Sequence, residues 1–217
     1  MIRAMPLIAG TVDLEAAINA LRARRPLFHS EADLQHAFGQ ALHALDPALH
    51  IRLEVPRDET GRWHIDMICH SSRSSTAIEF KYFTSAWSGA DPFTDEAFLL
   101  REHGAPDLAR RNFVFDIARL ERLRTAAFIT DGIALLLTND SRLWRPHHTG
   151  RTTNDHAFRI HEGTTLTGNL AWANGMYPGN TRTLTGTYPL RWSAYSDLPH
   201  PNGTFRWVAA SVCGIND

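Results

Sequence analysis

The sequence predicts an α/β fold, a mixed central sheet flanked by helices, with a β-rich C-terminal extension. The 217 residues are 43% hydrophobic, enough to bury a full core in one domain with a smaller appended lobe. Hydrophobic periodicity switches between 3.6 and 2 and gives the order helix, strand, strand, strand, helix, strand over residues 30–138. Residues 132–138, Gly-Ile-Ala-Leu-Leu-Leu-Thr, form a nearly continuous apolar run, as expected of an interior strand covered on both faces. The chain therefore divides into an N-terminal helical segment (1–29), a core (30–140) and the extension (141–217).

Residues 11–25 read as a first helix, with Thr11 as N-cap, Leu14, Ala17, Ile18 and Leu21 on one stripe, and Pro26 as the stop. Ser30 caps a second helix through about Leu45, and Asp33 completes a capping-box-like start. Its apolar face is Leu34, Phe38, Ala41, Leu42 and Leu45, and Asp46-Pro47 ends it. Glu31 precedes Leu34, Gln35 and Phe38 by three, four and seven positions, on the edge facing the sheet. It either points inward or simply complements the helix dipole.

Residues 50–56 alternate Ile51, Leu53 and Val55 as a strand, and 57–61 form a polar turn. Two further strands follow across 61–82. In the first, Trp63, Ile65, Met67 and Cys69 alternate with His64, Asp66, Ile68 and His70; in the second, Ala77, Glu79 and Lys81 share one face. Residues 84–106, rich in Gly, Pro and Asp, read as an excursion or substrate-contacting loop with a short helical stretch at 94–101. Residues 107–128 form a strong amphipathic helix, with Phe113, Ile117, Leu120, Leu123 and Ala127 inward and Arg side chains outward. In the extension, alternating stretches at 157–161, 166–172, 187–195 and 205–212 indicate β structure packed on, or extending, the core. Trp172, Trp192, Tyr195 and Trp207 read as core aromatics, with base stacking as the alternative.

Asp66, Glu79 and Lys81 stand out chemically. Each lies in an apolar, β-prone run where a charge needs a partner. Of 22 Lys and Arg residues the only Lys is Lys81, so a chain that otherwise uses the planar guanidinium places its one compact ammonium beside Glu79. An ordinary ion pair between strand neighbours is the competing account.

An acidic residue on one strand, twelve intervening residues, and Glu79-Phe80-Lys81 on the next resembles the PD-(D/E)XK nuclease superfamily, although Ile65 stands where the name-giving Pro would be. The predicted element order agrees with that family's core, so the resemblance covers residues 30–138 and implies a restriction-endonuclease-like core. It further implies hydrolysis of phosphodiester bonds in nucleic acid, DNA first, leaving 5′-phosphate and 3′-hydroxyl ends. Asp66, Glu79 and the Phe80 main-chain carbonyl would hold Mg²⁺, with Mn²⁺ able to substitute and Glu31 as an additional ligand. Lys81 would orient or help deprotonate the attacking water, and His64, two residues before Asp66, is a candidate supporting partner. Two other readings use the same scaffold: an inactive module that binds nucleic acid or protein, and an RNase or toxin-like effector.

The net charge of −1 provides no global attraction to nucleic acid. Cations gather locally instead, at Arg110, Arg111, Arg119, Arg122 and Arg124, then at Arg142, Arg145, His147, His148 and Arg151. Arg110, Arg111 and Arg145 are the candidate nucleic-acid contacts. No Cys or His spacing resembles a zinc site, and Gly-rich phosphate loops, serine elbows and dinucleotide fingerprints are absent. Cys69 and Cys213 are read as buried thiols rather than a disulfide. With neither signal peptide nor membrane span, the expected location is the cytoplasm, and a homodimer is compatible with the sequence.

Overall fold

The computed structural model describes residues 6–57, 63–146 and 152–213. The polar turn at 57–61 beyond Arg57, and His147, His148 and Arg151, lie outside them. A short hairpin, β1 (Leu7–Ile8) and β2 (Val12–Asp13), leads into α1 (Leu14–Arg22). Asp13 rather than Thr11 caps this helix, accepting from Ala16 N at 2.9 Å, because residues 12–13 are already extended in the hairpin. In α2 (Glu31–Leu45) the cap is Ser30, whose Oγ accepts from Asp33 N at 3.2 Å. Asp33 reaches back to His29 N at 3.0 Å and to Arg25 at 2.7 Å, one residue earlier than a strict capping box. Leu45 is exposed because the last turn of α2 runs past the core.

A meander follows: β3 (His50–Pro56), β4 (His64–His70) and β5 (Ser75–Phe83). The expected helical stretch at 94–101 is corrected to a strand, since β6 (Trp87–Ala90) and β7 (Ala97–Leu100) form a hairpin. Its alternation is strand-like: Phe98 and Leu100 are buried, whereas Leu99 is exposed. Then come α3 (Pro106–Thr125), β8 (Asp131–Thr138) and the single-turn α4 (Ser141–Trp144). In α3, Phe113, Ile117, Leu120 and Leu123 are buried as expected; Ala127 lies beyond the helix end, exposed and at φ 55°.

The C-terminal stretch holds the hairpin β9 (Thr165–Leu170) and β10 (Arg182–Pro189), then β11 (Ser193–Asp197) and β12 (Thr204–Val212). The strand expected at 157–161 is instead a 3-10 turn at His156–Phe158, and the one at 187–195 is split between β10 and β11. The central sheet has six strands in the order β11-β12-β8-β5-β4-β3. Only β5 and β8 are parallel, as the α3 crossover requires, so the sheet is mixed. β12 is integral to it, pairing with β8 from Arg206↔Thr138 to Val212↔Gly132.

Two hydrophobic layers cover the sheet. On one face α1 and α2 bury Leu34, Phe38 and Leu42 against Met67, Ile78, Phe80 and Leu135. On the other, α3 and the β9–β10 hairpin pack Phe113, Ile117, Leu120 and Tyr188 against Ala77, Leu136 and Val208. Trp172, Trp192, Tyr195 and Trp207 are all buried core residues. Cys69 is also buried, which pushes its thiol up to about 12, while Cys213 is exposed, correcting that half of the expectation. Among the described residues no helix is long and apolar enough to cross a membrane.

Candidate active site

The site arises where β4 and β5 part. Their ladder runs from His70↔Ser75 to Met67↔Ile78 and stops. Beyond it, alternate N–H groups of β5 still point toward β4 and need acceptors. Two carboxylates supply them: Asp66 Oδ2 accepts from Phe80 N at 2.7 Å, and Glu31 Oε2, from the first turn of α2, accepts from Tyr82 N at 2.9 Å. Glu31 therefore does point toward the sheet. The Phe80 carbonyl opens into the same gap and accepts from Lys81 Nζ at 2.6 Å. Phe80 itself is anchored on the opposite face, edge-on to Phe38 with ring centroids 5.3 Å apart.

Glu79 and Lys81 face α3, which contributes Asp116, absent from the sequence reading, and Arg119, placed there only in the basic cluster. Asp116 Oδ2 lies 3.1 Å from Lys81 Nζ, close enough to pair charges though outside hydrogen-bond geometry. Arg119 donates to Glu79 Oε1 at 3.3 Å and to Asp116 Oδ1 at 2.5 Å. Lys81 is also 3.9 Å from Glu31 Oε1. A signal for this pair exists in the chain: Asp116 stands among Phe113, Val114, Ile117 and Leu120, an acid on the apolar stripe of an amphipathic helix.

Burial dominates the electrostatics. Glu79 is 1% exposed, and burial together with the neighbouring Asp116 charge pushes its carboxyl up to about 9 against the pull of Arg119. Burial likewise raises Asp116 and Glu31 above the usual carboxylate range. For Lys81 burial acts downward, but Asp116, Glu31 and Asp66 together outweigh it and hold the ammonium charged. Lys81 is thus a fixed cation with donor protons, not a base in this state.

Other buried acids are accounted for by structure. Glu121 accepts from Thr185 N, Gly186 N and Tyr188 Oη, fastening α3 to the bulge of β10. Asp155 pairs with Arg110 and Arg159, and Asp140 caps α4. Glu79 and Asp116 differ: Glu79 Oε2 and Asp116 Oδ2 are buried without a hydrogen-bond partner, and of the two it is Asp116 Oδ2 that lies 3.1 Å from the Lys81 ammonium. Glu79 Oε2, with Asp66 and the Phe80 carbonyl, fits a hard divalent cation in donor chemistry. Among the described residues no group of three or more His, Cys, Asp and Glu side chains is arranged to hold a metal.

The candidate nucleic-acid contacts separate. Arg110 is corrected: it is buried, ion-paired with Asp155 at 2.5 Å and donates to the Arg142 carbonyl, so it builds the core. Arg111 is half-buried and donates to Asn112 and Asn180. Arg145 is exposed and lines a cleft of about 740 Å³ with Arg142, Arg159, the first turn of α3 and the buried Arg110–Asp155 pair at its wall; Asp66, Glu79 and Lys81 do not line that cleft. His64 is half-buried at the start of β4. No family model, curated protein or solved structure matches this chain.

Proposed function

We propose that the chain is a divalent-metal-dependent nuclease, acting on phosphodiester bonds of nucleic acid and on DNA first, with a restriction-endonuclease-like core. The observation that supports this most is Glu79: a buried carboxyl with an unpartnered oxygen, between Asp66 and the chain's only lysine, where a sheet ladder opens. Asp66, Glu79 and the Phe80 carbonyl would hold Mg²⁺ or Mn²⁺, which when bound supplies a Lewis acid at the phosphate and an acidified water. Glu31 stays on Tyr82 N through Oε2 and has Oε1 to offer. Lys81 orients the attacking water and offsets charge on the pentavalent transition state. Arg145 and Arg111 would guide the phosphate backbone.

The test is a cleavage panel of duplex DNA, single-stranded DNA and RNA, with and without Mg²⁺. Glu79→Ala and Lys81→Ala should each lose metal-dependent cleavage while keeping the native circular dichroism spectrum. Equal cleavage by wild type and Glu79→Ala would sink the enzyme reading; cleavage confined to RNA would make the chain an RNase-type effector.

One observation favours a second reading, a nuclease-like binding module without turnover: Arg119 already sits on Glu79 and Lys81 on the Phe80 carbonyl, so resident cations occupy much of the site. Calorimetry separates the two. A module of that kind binds nucleic acid yet gives no Mg²⁺ heat that Asp66→Asn removes.

A further inference from the structure

We infer that Asp116 is the positioning residue of this site, one buried acid that contacts and fixes both Lys81 and Arg119 against the acidic pair. The inference rests on the nuclease reading for its kinetic consequence, though not for its geometry. Four acids and two cations meet here: Glu31, Asp66, Glu79 and Asp116 with Lys81 and Arg119. Among the described residues only Asp116 touches both cations, Lys81 through Oδ2 and Arg119 through Oδ1. Glu31 reaches Lys81 alone, and Glu79 reaches Arg119 alone.

Burial separates the two acids Asp116 and Glu79 from the two cations they hold. The Asp116 side chain is 2% exposed, against 24% for Lys81 and 23% for Arg119. Both its oxygens face cations, Oδ1 in a hydrogen bond with Arg119 and Oδ2 3.1 Å from Lys81. What it does is geometric. The Phe80 carbonyl holds the ammonium from the strand, Asp116 holds it from α3 and Glu31 approaches it from α2, while the side chain stays 24% exposed. Arg119 is held at both terminal nitrogens, Nη1 on Glu79 and Nη2 on Asp116. A flexible lysine fixed on two sides loses less freedom when it meets a water or a phosphate oxygen, and misplacement of such a group is costly to rate.

Because Lys81 is the only lysine, labelling the protein with ¹⁵N- and ¹³C-lysine yields one side-chain signal, and acylation of that amine is read on a single tryptic peptide. Asp116→Asn should move the Lys81 signal and speed its acylation about tenfold. Its kcat should fall about 100-fold, with KM changed less than about twofold. An unmoved signal, or a moved signal with kcat unchanged, overturns the inference. Should Asp116→Asn fail to fold, Arg119→Gln removes one cation from the hub at a partly exposed position. It should move the Lys81 signal and lower kcat about tenfold, with partial recovery in Arg119→Lys; no change in signal or kcat overturns the hub. If the wild type cleaves no nucleic acid, the nuclease reading fails by itself, and the lysine signal still decides: movement in Asp116→Asn supports the hub, its absence overturns it.

Discussion

Glu79 is held where an ionised carboxyl is unfavourable, and this has a measurable pH signature. Unfolded, it loses its proton near 4.5; folded, near 9. Between those values the folded chain keeps a proton that the unfolded chain has released, so its contribution to stability is full below about 4.5 and is lost as pH rises through about 9. Glu79→Gln has no proton to lose. The variant should therefore gain on the wild type as pH rises, by at least about 1 kcal/mol at pH 8 relative to pH 5. Urea denaturation at the two pH values checks this, and a difference independent of pH would contradict it. The same scale shows where a residue's type misleads. Arg110 and Arg145 are the same side chain in two similar basic clusters, yet one is sealed on Asp155 and the other is exposed. Helical spacing places Arg110 on the surface only if nothing covers that face of α3, and residues 153–159 cover it.

At the scale of elements, the site depends on how closely α3 lies on β8. Gly132 permits that approach: a Cβ built there would stand 2.9 Å from Leu120 Cβ, inside any normal contact. Gly132→Ala should cost about 1–3 kcal/mol through overpacking. Because Asp116 and Arg119 ride one turn N-terminal to Leu120 or within it, cleavage should fall further than the loss of stability explains. Thermal melts and cleavage rates measured below the melting range test this together; normal cleavage by a destabilised Gly132→Ala would show that the helix can shift without consequence. β4 and β5 were readable as strands from alternation, and Glu79 and Lys81 were correctly paired on one face of β5. Their parting at Met67↔Ile78 was not readable, since it is set by packing on the two faces: Met67 joins the α2 layer, while Ile65 joins the α3 layer.

For the whole molecule, the prediction concerns the C-terminal residues. β12 supplies the antiparallel neighbour of β8, and Val208, Ala210 and Val212 belong to the same buried cluster as Ile117, Leu120 and Leu136. A chain ending at residue 140 should lack a cooperative melt, because β8 would expose an apolar edge and α3 would lose part of its floor. Circular dichroism on heating reads this out, and a sharp transition in the truncated chain would make 141–217 dispensable. Local patterning alone was enough to specify α1, α2 and α3, the strands β3, β4, β5 and β8, and the placing of Glu79 and Lys81 on one face of β5, because side-chain period and capping are properties of neighbours in the chain; it did not give the hairpins β1–β2 and β6–β7. Three features were decided only by folding: the return of β12 into the sheet between β11 and β8, the burial of Arg110, and the arrival of Asp116 and Arg119 over β5. All three join residues tens of positions apart, where no periodicity operates and only packing on a shared sheet selects the partners.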